Sequence, residues 1–325
     1  MIFIYNKSLD PYYNLASEEY LVKISQDEIF MLWQNDNTIV VGRNQNTLSE
    51  INYDYVKENN ISVVRRMSGG GAVFHDIGNI NFTFILNSES DFSNYAKFTQ
   101  PIIDFLKTLG AEASLSGRND LVIGDRKISG NAQYMYKNRI LHHGTLLYSS
   151  EENKLAASLK VSEDKIKSKG IKSVKSRVTN ISEHINSPLT AKEFIEKLKT
   201  FMLSQGNLSG EYDLERDREK IQKLRDEKYA TWDWNFGYSP KYSFTKSKRF
   251  PFGEVEICMN VKTNGIIESI KIFGDFFSKL DIGELESLIC GHKHEHTELK
   301  KLLENICLSD YISGITENDL LNILF

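Results

Sequence analysis

Residues 65–76, Arg65-Arg-Met-Ser-Gly69-Gly-Gly-Ala-Val-Phe-His75-Asp, place three consecutive glycines between two apolar stretches. Glycine loses more backbone entropy on folding than any other residue, so an ordered run of three between strands indicates close approach of the backbone to another group. Amides of such a loop can line an anion site, and the two arginines add charge suited to a carboxylate or a phosphate. A flexible turn is the structural alternative. His75 is predicted either as a base or as a residue that only hydrogen-bonds the loop.

The glycine segment differs from the common nucleotide loops. No Gly-Lys-Ser/Thr follows it, so it is not a Walker A loop, and it does not enter a helix as a dinucleotide-binding GxGxxG does.

Around the glycine segment, apolar alternation and β-branched runs predict strands at Ile2–Tyr5, Ile29–Trp33, Thr38–Gly42, Ser62–Arg65 and Asn79–Leu86. Helices are predicted at Tyr12–Ile24, Asn52–Glu58 and Tyr95–Leu109, the last ended by Gly110.

A three-stranded meander is predicted from Asp120 to Tyr148, with a two-residue turn at Gly124-Asp125. A turn of that length pairs Val122 with Lys127, and period-two alternation then puts Asp120 and Lys127 on one face. Lys127 is either a solvated edge residue or an ammonium that bridges a carboxylate and an α-phosphate. Gly130 would leave room there for a ligand.

The second half of the chain is predicted to be more charged. A helix followed by a basic loop is expected over Asn153–Arg177, and this loop is either a solvated charge run or a lid over phosphates. Thr190-Ala-Lys-Glu193 matches a capping box that opens a helix to about Ser204, and a charged helix is expected over Asp213–Tyr229. No periodicity is evident over Trp232–Pro251, where we place the domain boundary.

The remaining chain is predicted to form a small α+β domain. A β-hairpin at Glu254–Phe273 precedes helical patterns near Ile282–Ile289, Thr297–Asn305 and Thr316–Leu324. Residues 290–296 hold one cysteine and three histidines, but their spacing matches no zinc pattern, so no metal site is predicted. The three cysteines lie far apart without a CxxC motif, which indicates reduced thiols.

Composition excludes several classes of protein. The 325 residues carry 40 Lys+Arg against 44 Asp+Glu, a balance that does not favour nucleic-acid binding. A hydrophobic content of 40% with 5 prolines argues against extensive disorder. No segment has the length of a membrane span and the first residues lack a signal-peptide pattern, so a cytoplasmic protein without nucleic-acid or membrane partners is expected.

Several motifs in order resemble the lipoate–protein ligases. These are Arg65–Asn79, Asn119-Asp120 with Gly124–Gln133, and His143-Gly-Thr145-Leu-Leu. Further matches extend the resemblance over nearly the whole chain, and they are Asn14–Glu19, Trp33 with Val41–Asn46, Lys175–Asn180 and Arg249–Gly253.

The resemblance implies an α+β fold of the biotin/lipoate-ligase type, with mixed β-sheets flanked by helices. It also implies a catalytic domain at residues 1–246 and a small α+β accessory domain at residues 247–325. In the family's reaction, lipoate and ATP form lipoyl-AMP and pyrophosphate, and an acceptor lysine then takes the lipoyl group and releases AMP. Expected small molecules are ATP, Mg²⁺ and lipoate.

By position, the resemblance implies one catalytic residue, Lys127. It implies a larger set that binds ATP and lipoate, namely Arg66, Ser68, Gly69, Gly70, Gly71, Ala72, Val73, Phe74, His75, Asn79, Asp120, Lys127, Gly130, His143, Thr145, Lys175 and Arg177.

Acceptors implied by the resemblance are apo lipoyl domains of 2-oxoacid dehydrogenase E2 subunits, the glycine-cleavage H protein, or both. Alternatives are an octanoyl or lipoyl transferase, a biotin ligase of the same fold, or a non-catalytic lipoate sensor. A transferase would hold its acyl group on a cysteine. All three cysteines lie beyond residue 250, outside the motif-bearing part of the chain, which disfavours that alternative.

Overall fold

The computed structural model describes residues 1–151, 154, 157–159, 178–206, 208–236, 244–262 and 265–325. Its strands are β1 Ile2–Asn6, β2 Ile29–Trp33, β3 Thr38–Val41, β4 Ser62–Arg65, β5 Val73–His75, β6 Asn79–Leu86, β7 Ala113–Ser116, β8 Asp120–Ile123, β9 Arg126–Tyr136, β10 Arg139–Leu147, β11 Gly210–Glu211, β12 Phe244–Phe250, β13 Gly253–Val261 and β14 Ile267–Gly274.

Its α-helices are α1 Pro11–Ile24, α2 Thr47–Glu50, α3 Tyr53–Glu58, α4 Tyr95–Thr108, α5 Ala191–Ser204, α6 Arg218–Leu224, α7 Trp232–Phe236, α8 Ile282–Ile289, α9 His296–Leu303, α10 Leu308–Tyr311 and α11 Glu317–Leu324. Short 3₁₀ turns lie at Glu89–Asp91, Ile181–Glu183 and Leu214–Asp217, and a π-helical turn extends α6 over Arg225–Tyr229. The helical prediction for Asn153–Arg177 falls largely outside the described residues.

A mixed eight-stranded sheet forms the main layer, in the order β11-β1-β2-β6-β10-β9-β8-β7. Strand β2 is buried along its whole length, and so is β6 except for Leu86, because both lie at the centre of the sheet. Helices α4 and α5 cover one face with an apolar core that includes Phe98, Phe105 and Phe194. A smaller sheet, β4-β3-β5, carries the glycine segment between its strands β4 and β5.

Local signals in the sequence explain the ends of these helices. Asn94 caps α4 by accepting from the Lys97 amide, and the chain leaves that helix through Gly110 at a φ of 92°. The capping box of α5 is confirmed, because Thr190 and Glu193 each bond the other's backbone amide.

The accessory domain differs from its prediction by one strand. The expected hairpin is present as β13 and β14, but β12 pairs with β13 along its length and makes the sheet three-stranded. The exposed lysines and threonine of β12 do not alternate with apolar residues, which is typical of an edge strand. A core of its own packs this sheet against α8, α9 and α11.

Candidate functional site

A cavity of about 160 Å³ lies between the glycine segment and the face of the large sheet. We call it the central cavity. Ten of the residues predicted to bind ligand line it, namely Arg66, Gly70, Gly71, Ala72, Val73, His75, Lys127, Gly130, His143 and Thr145. Five others lie beside it without lining it, and these are Ser68, Gly69, Phe74, Asn79 and Asp120. Lys175 and Arg177 lie outside the described residues.

Lys127 is positioned by the turn at Gly124-Asp125. In the structure Ile123 pairs with Arg126 and Val122 pairs with Lys127, which confirms the predicted register. The side chain of Lys127 is 36% exposed and borders the central cavity. A short turn therefore decides which face of β9 presents the ammonium.

Asp120 and Gly130 complete the surroundings of this ammonium. Ile128 is an extra, unpaired residue in β9, and this bulge shifts the register so that Asp120 lies opposite Gly130. Nζ of Lys127 lies 2.7 Å from Oδ1 of Asp120, in agreement with the shared face that the sequence predicted. A Cβ on Gly130 would lie 2.9 Å from the same Nζ, so glycine at this position gives the lysine side chain its space.

Arg66 holds the glycine segment from inside. Its guanidinium donates to the carbonyls of Gly69 at 2.7 Å and Gly71 at 2.9 Å, to that of Val40 at 3.2 Å, and to Oγ of Ser68 at 3.1 Å. Burial lowers the pKa of Arg66 to about 10, so the side chain stays charged at neutral pH. Among the described residues, four of its five N–H groups have an acceptor in the protein.

Arg65 points to the opposite side of β4, because neighbouring strand residues alternate between faces. Its buried guanidinium donates to the carbonyls of Gly42, Arg43 and Gln45 at 2.7–2.9 Å. Of the two arginines that precede the glycines, only Arg66 therefore lines the central cavity. Arg65 instead fixes the loop that follows β3.

A buried hydrogen-bonded network that the sequence analysis did not assign supports His143. Its Nδ1 lies 3.0 Å from Oε2 of Glu18, and its Nε2 lies 2.6 Å from Oγ of Ser68. Thr83 donates to the same carboxylate at 2.6 Å. The Asn14–Glu19 motif was the available signal for Glu18, but nothing in it linked this helix to a strand more than a hundred residues later.

Phe74 and Asn79 lie behind the walls of the cavity and contact other residues of the protein. Phe74 packs in the core of the smaller sheet with Ile39 and Val41. Asn79 donates through Nδ2 to Oδ1 of Asn81, which itself lines the cavity. Their neighbours, rather than these two side chains, border the cavity.

The accessory domain contributes a wall that sequence reasoning missed. Phe277 lines the central cavity, and the guanidinium of Arg118 lies 4.0 Å from the centroid of its ring. The preceding carbonyl, of Phe276, accepts from the Gly70 amide at 3.3 Å, and a Cβ on Gly69 would overlap that carbonyl. Two of the three glycines thus permit close packing of the accessory domain.

Residues 178 and 179, which follow the predicted basic loop, contact Lys127. Val178 forms a parallel bridge with Lys127, and the Thr179 amide donates to the Lys127 carbonyl at 3.0 Å. The predicted lid therefore ends beside the predicted catalytic residue.

The three cysteines lie away from the lining of the central cavity. None of the three cysteines lines it, and burial raises the pKa of Cys258 to about 11. In the described ranges no three or more His, Cys, Asp and Glu side chains are grouped as a metal site would need. His294 instead stacks on Phe325 at 4.5 Å between ring centroids.

Among the described residues, no helix has the length and apolar character to cross a membrane.

The arrangement combines a cationic end with an apolar interior. Lys127 marks the cationic end, while Leu15, Trp33, Val40 and Val73 supply apolar walls. Such a cavity suits a molecule with a carboxylate at one end and an aliphatic body.

Comparison with known proteins agrees with this chemistry. Residues 10–202 match the family described as Lipoyl protein ligase A/B catalytic domain, and residues 239–324 match Bacterial lipoate protein ligase C-terminus. The chain is 46% identical to Lipoate-protein ligase LplJ of Bacillus subtilis (strain 168), over 100% of both proteins.

Two solved structures are also similar over most of their length. A crystal structure of P. falciparum LipL1 in complex with lipoate has a TM-score of 0.79 and 29% identity, covering 99% of this chain and 97% of that one. A bi-partite lipoate protein ligase of Thermoplasma acidophilum, studied with its E2 lipoyl domain, has a TM-score of 0.65 and 26% identity, covering 75% and 98%.

Proposed function

The chain belongs to the lipoate–protein ligase family of enzymes, and we propose that it forms lipoyl-AMP at Lys127 and passes the lipoyl group to an acceptor lysine. In the first step a lipoate carboxylate oxygen attacks the α-phosphorus of ATP. The bond from that phosphorus to the β-bridging oxygen breaks, and pyrophosphate leaves with the electron pair. In the second step the acceptor amine attacks the acyl carbon, AMP leaves with its phosphate oxygen, and the amine releases a proton.

The position of Lys127 carries this proposal. Its ammonium borders the cavity 2.7 Å from Asp120, on a strand whose register is fixed by a tight turn. A cation held between carboxylate and α-phosphate offsets the negative charge that builds as they approach each other. Asp120 orients the ammonium, and Gly130 keeps its path open.

The glycine segment has two parts in the proposal. The fifth N–H of Arg66 and the backbone amides near Gly71 face the adenylate. Ala72 and Val73 cover the aliphatic chain of lipoate. The segment that contains Lys175 and Arg177 is proposed to cover the adenylate, and the contacts of Val178 and Thr179 with Lys127 support this.

Mg²⁺ is proposed to enter with the phosphates of ATP. Such an ion needs only one or two protein carboxylates, and Asp120 is a 38% exposed carboxylate at the edge of the cavity, so the residues present fit it. The ion would offset charge on the phosphates. No dedicated protein cage is required.

Apo lipoyl domains of 2-oxoacid dehydrogenase E2 subunits and the glycine-cleavage H protein are proposed as acceptors, in the cytoplasm. The similarity to a ligase studied with an E2 lipoyl domain supports the first class. We also propose that residues 1–246 form the catalytic domain and residues 247–325 the accessory domain.

ATP–pyrophosphate exchange tests the activation step. Purified protein is assayed with lipoate, octanoate, biotin or no acid, with and without an apo lipoyl domain. Exchange that depends on lipoate and disappears in Lys127→Ala is expected. Lys223→Ala is the matched control, because this lysine is 73% exposed and is not among the residues that line the cavity. Wild-type exchange by Lys127→Ala would remove that residue from the mechanism.

A further inference from the structure

Two buried hydrogen-bond donors border the central cavity and have no partner among the described residues. Nε2 of His75 and Nδ2 of Asn81 have no hydrogen-bond partner within the part of the chain that the structure describes. Both residues line the cavity, and they are 3% and 2% exposed. Buried polar atoms are nearly always paired, so two orphans on one cavity indicate a ligand that supplies acceptors.

A relay of amide groups decides which nitrogen of His75 carries the proton. Asn14 donates through Nδ2 to the carbonyls of Ser8 at 3.0 Å and Gln34 at 2.8 Å, which fixes the orientation of its amide. The same Nδ2 lies 2.8 Å from Oδ1 of Asn35, so Nδ2 of Asn35 faces Nδ1 of His75 at 3.1 Å. Nδ1 therefore accepts, and the proton of the neutral ring lies on Nε2.

The ring stays neutral at physiological pH. Burial, together with the positive charge of Arg66 and a contribution from His143, lowers the pKa of His75 to about 3. Nε2 is then a donor without a positive charge. It suits a neutral acceptor rather than a carboxylate.

Strand order places these donors far from Lys127. Trp33 on β2 pairs with Asn81 on β6, and Asn81 pairs with Thr145 on β10. Oγ1 of Thr145 accepts from the amide of Gly130 on β9 at 3.1 Å. Three strand spacings thus separate β2 from β9, roughly 14 Å.

His75 lies beside Trp33, at the β2 end of this row of strands, and the ammonium of Lys127 lies at the β9 end. Its ring meets that of Trp33 edge-on, with 6.4 Å between the centroids. Asn81 lies one strand further in. A ligand with its carboxylate at Lys127 therefore brings its opposite end to these two donors.

We propose that His75 Nε2, assisted by Asn81 Nδ2, recognises the sulfur atoms of the 1,2-dithiolane ring and makes His75 a specificity-determining residue for lipoate. This inference rests on the proposed function, because it requires the carboxylate to lie at Lys127. A straight-chain acid of the same length offers carbon there and leaves both donors unpaired. A site built around a hydrogen bond rejects such an analogue. Sulfur is a weak acceptor, so the discrimination expected is about tenfold.

The test separates sulfur from ring shape. The kcat/KM of pyrophosphate exchange is measured with lipoate, with 5-cyclopentylpentanoate, which has the same ring size in carbon, and with octanoate. The enzymes are the wild type, His75→Leu and His75→Gln, which retains a donor. We expect the wild type to prefer lipoate to its carbocyclic analogue about tenfold.

In His75→Leu this ratio should fall to near one, chiefly through a higher KM for lipoate, and His75→Gln should recover part of it. The ratio is independent of the fraction of folded enzyme. Equal use of both acids by the wild type, or an unchanged ratio in His75→Leu, overturns the inference while exchange itself continues. Absence of exchange with every acid would instead overturn the proposed function.

Discussion

Replacing Gly130 by alanine should disable Lys127 without unfolding the protein. The added Cβ would lie 2.9 Å from Nζ and 3.1 Å from Cε of Lys127, whereas comfortable contacts require about 3.5–4.0 Å. The ammonium must therefore move by about 1 Å. Misplacement of that size costs on the order of 100-fold in rate.

Stability should change little in this variant. The atoms that must move are the far end of a flexible lysine side chain, and Gly130 does not have a positive φ. We expect a change of less than about 0.5 kcal/mol in the free energy of unfolding. Urea denaturation measures this free energy, and pyrophosphate exchange with lipoate measures the rate.

Gly210→Ala is the matched control, because no atom of the described residues lies within 4 Å of the Cβ it would add. It should leave both quantities at their wild-type values. Wild-type exchange by a folded Gly130→Ala protein would refute the argument that Lys127 must occupy this position. A large loss of stability would show instead that Gly130 is required by the strand and not by the lysine.

Two further predictions concern stability. Because the pKa of His75 falls from 6.5 to about 3 on folding, the unfolded chain binds more protons between these values, so the free energy of unfolding should decrease as the pH falls through this window. His75→Leu should show a shallower decrease over the same range in urea titrations, and an identical slope would contradict the shift. In Gly42→Ala the new Cβ would overlap the carbonyl oxygen of Gly70, and since both groups belong to the backbone, we expect a loss of about 2 kcal/mol in chemical denaturation. An unchanged midpoint would show that the loop relaxes freely.

Short-range features of the site were predictable because they depend on local rules. The turn at Gly124-Asp125 fixed the pairing of Val122 with Lys127, and alternation along the strands placed Asp120 on the same face. The bulge at Ile128 in β9, which brings Asp120 opposite Gly130, had no signal in the sequence. Period-two alternation also implies that Arg65 and Arg66 point to opposite faces of β4.

Long-range features could not be obtained in this way. Phe277 reaches the glycine segment from more than two hundred residues away, and an apolar residue in a second domain gives no sign of such a contact. The link between Glu18 and His143 likewise depends on how α1 packs against the large sheet. The strand β12 was missed because its charged, exposed side chains do not alternate with apolar ones.

A single-turnover reaction analysed by mass spectrometry tests most directly whether Lys127 carries the formation of lipoyl-AMP. Protein in excess over lipoate is mixed with ATP and Mg²⁺, without an acceptor, and the products are quantified. We expect lipoyl-AMP and pyrophosphate in equal amounts from the wild type and neither from Lys127→Ala. Lipoyl-AMP formed at the same rate by both proteins, or a lipoyl group bound to a cysteine of the enzyme, would contradict this expectation.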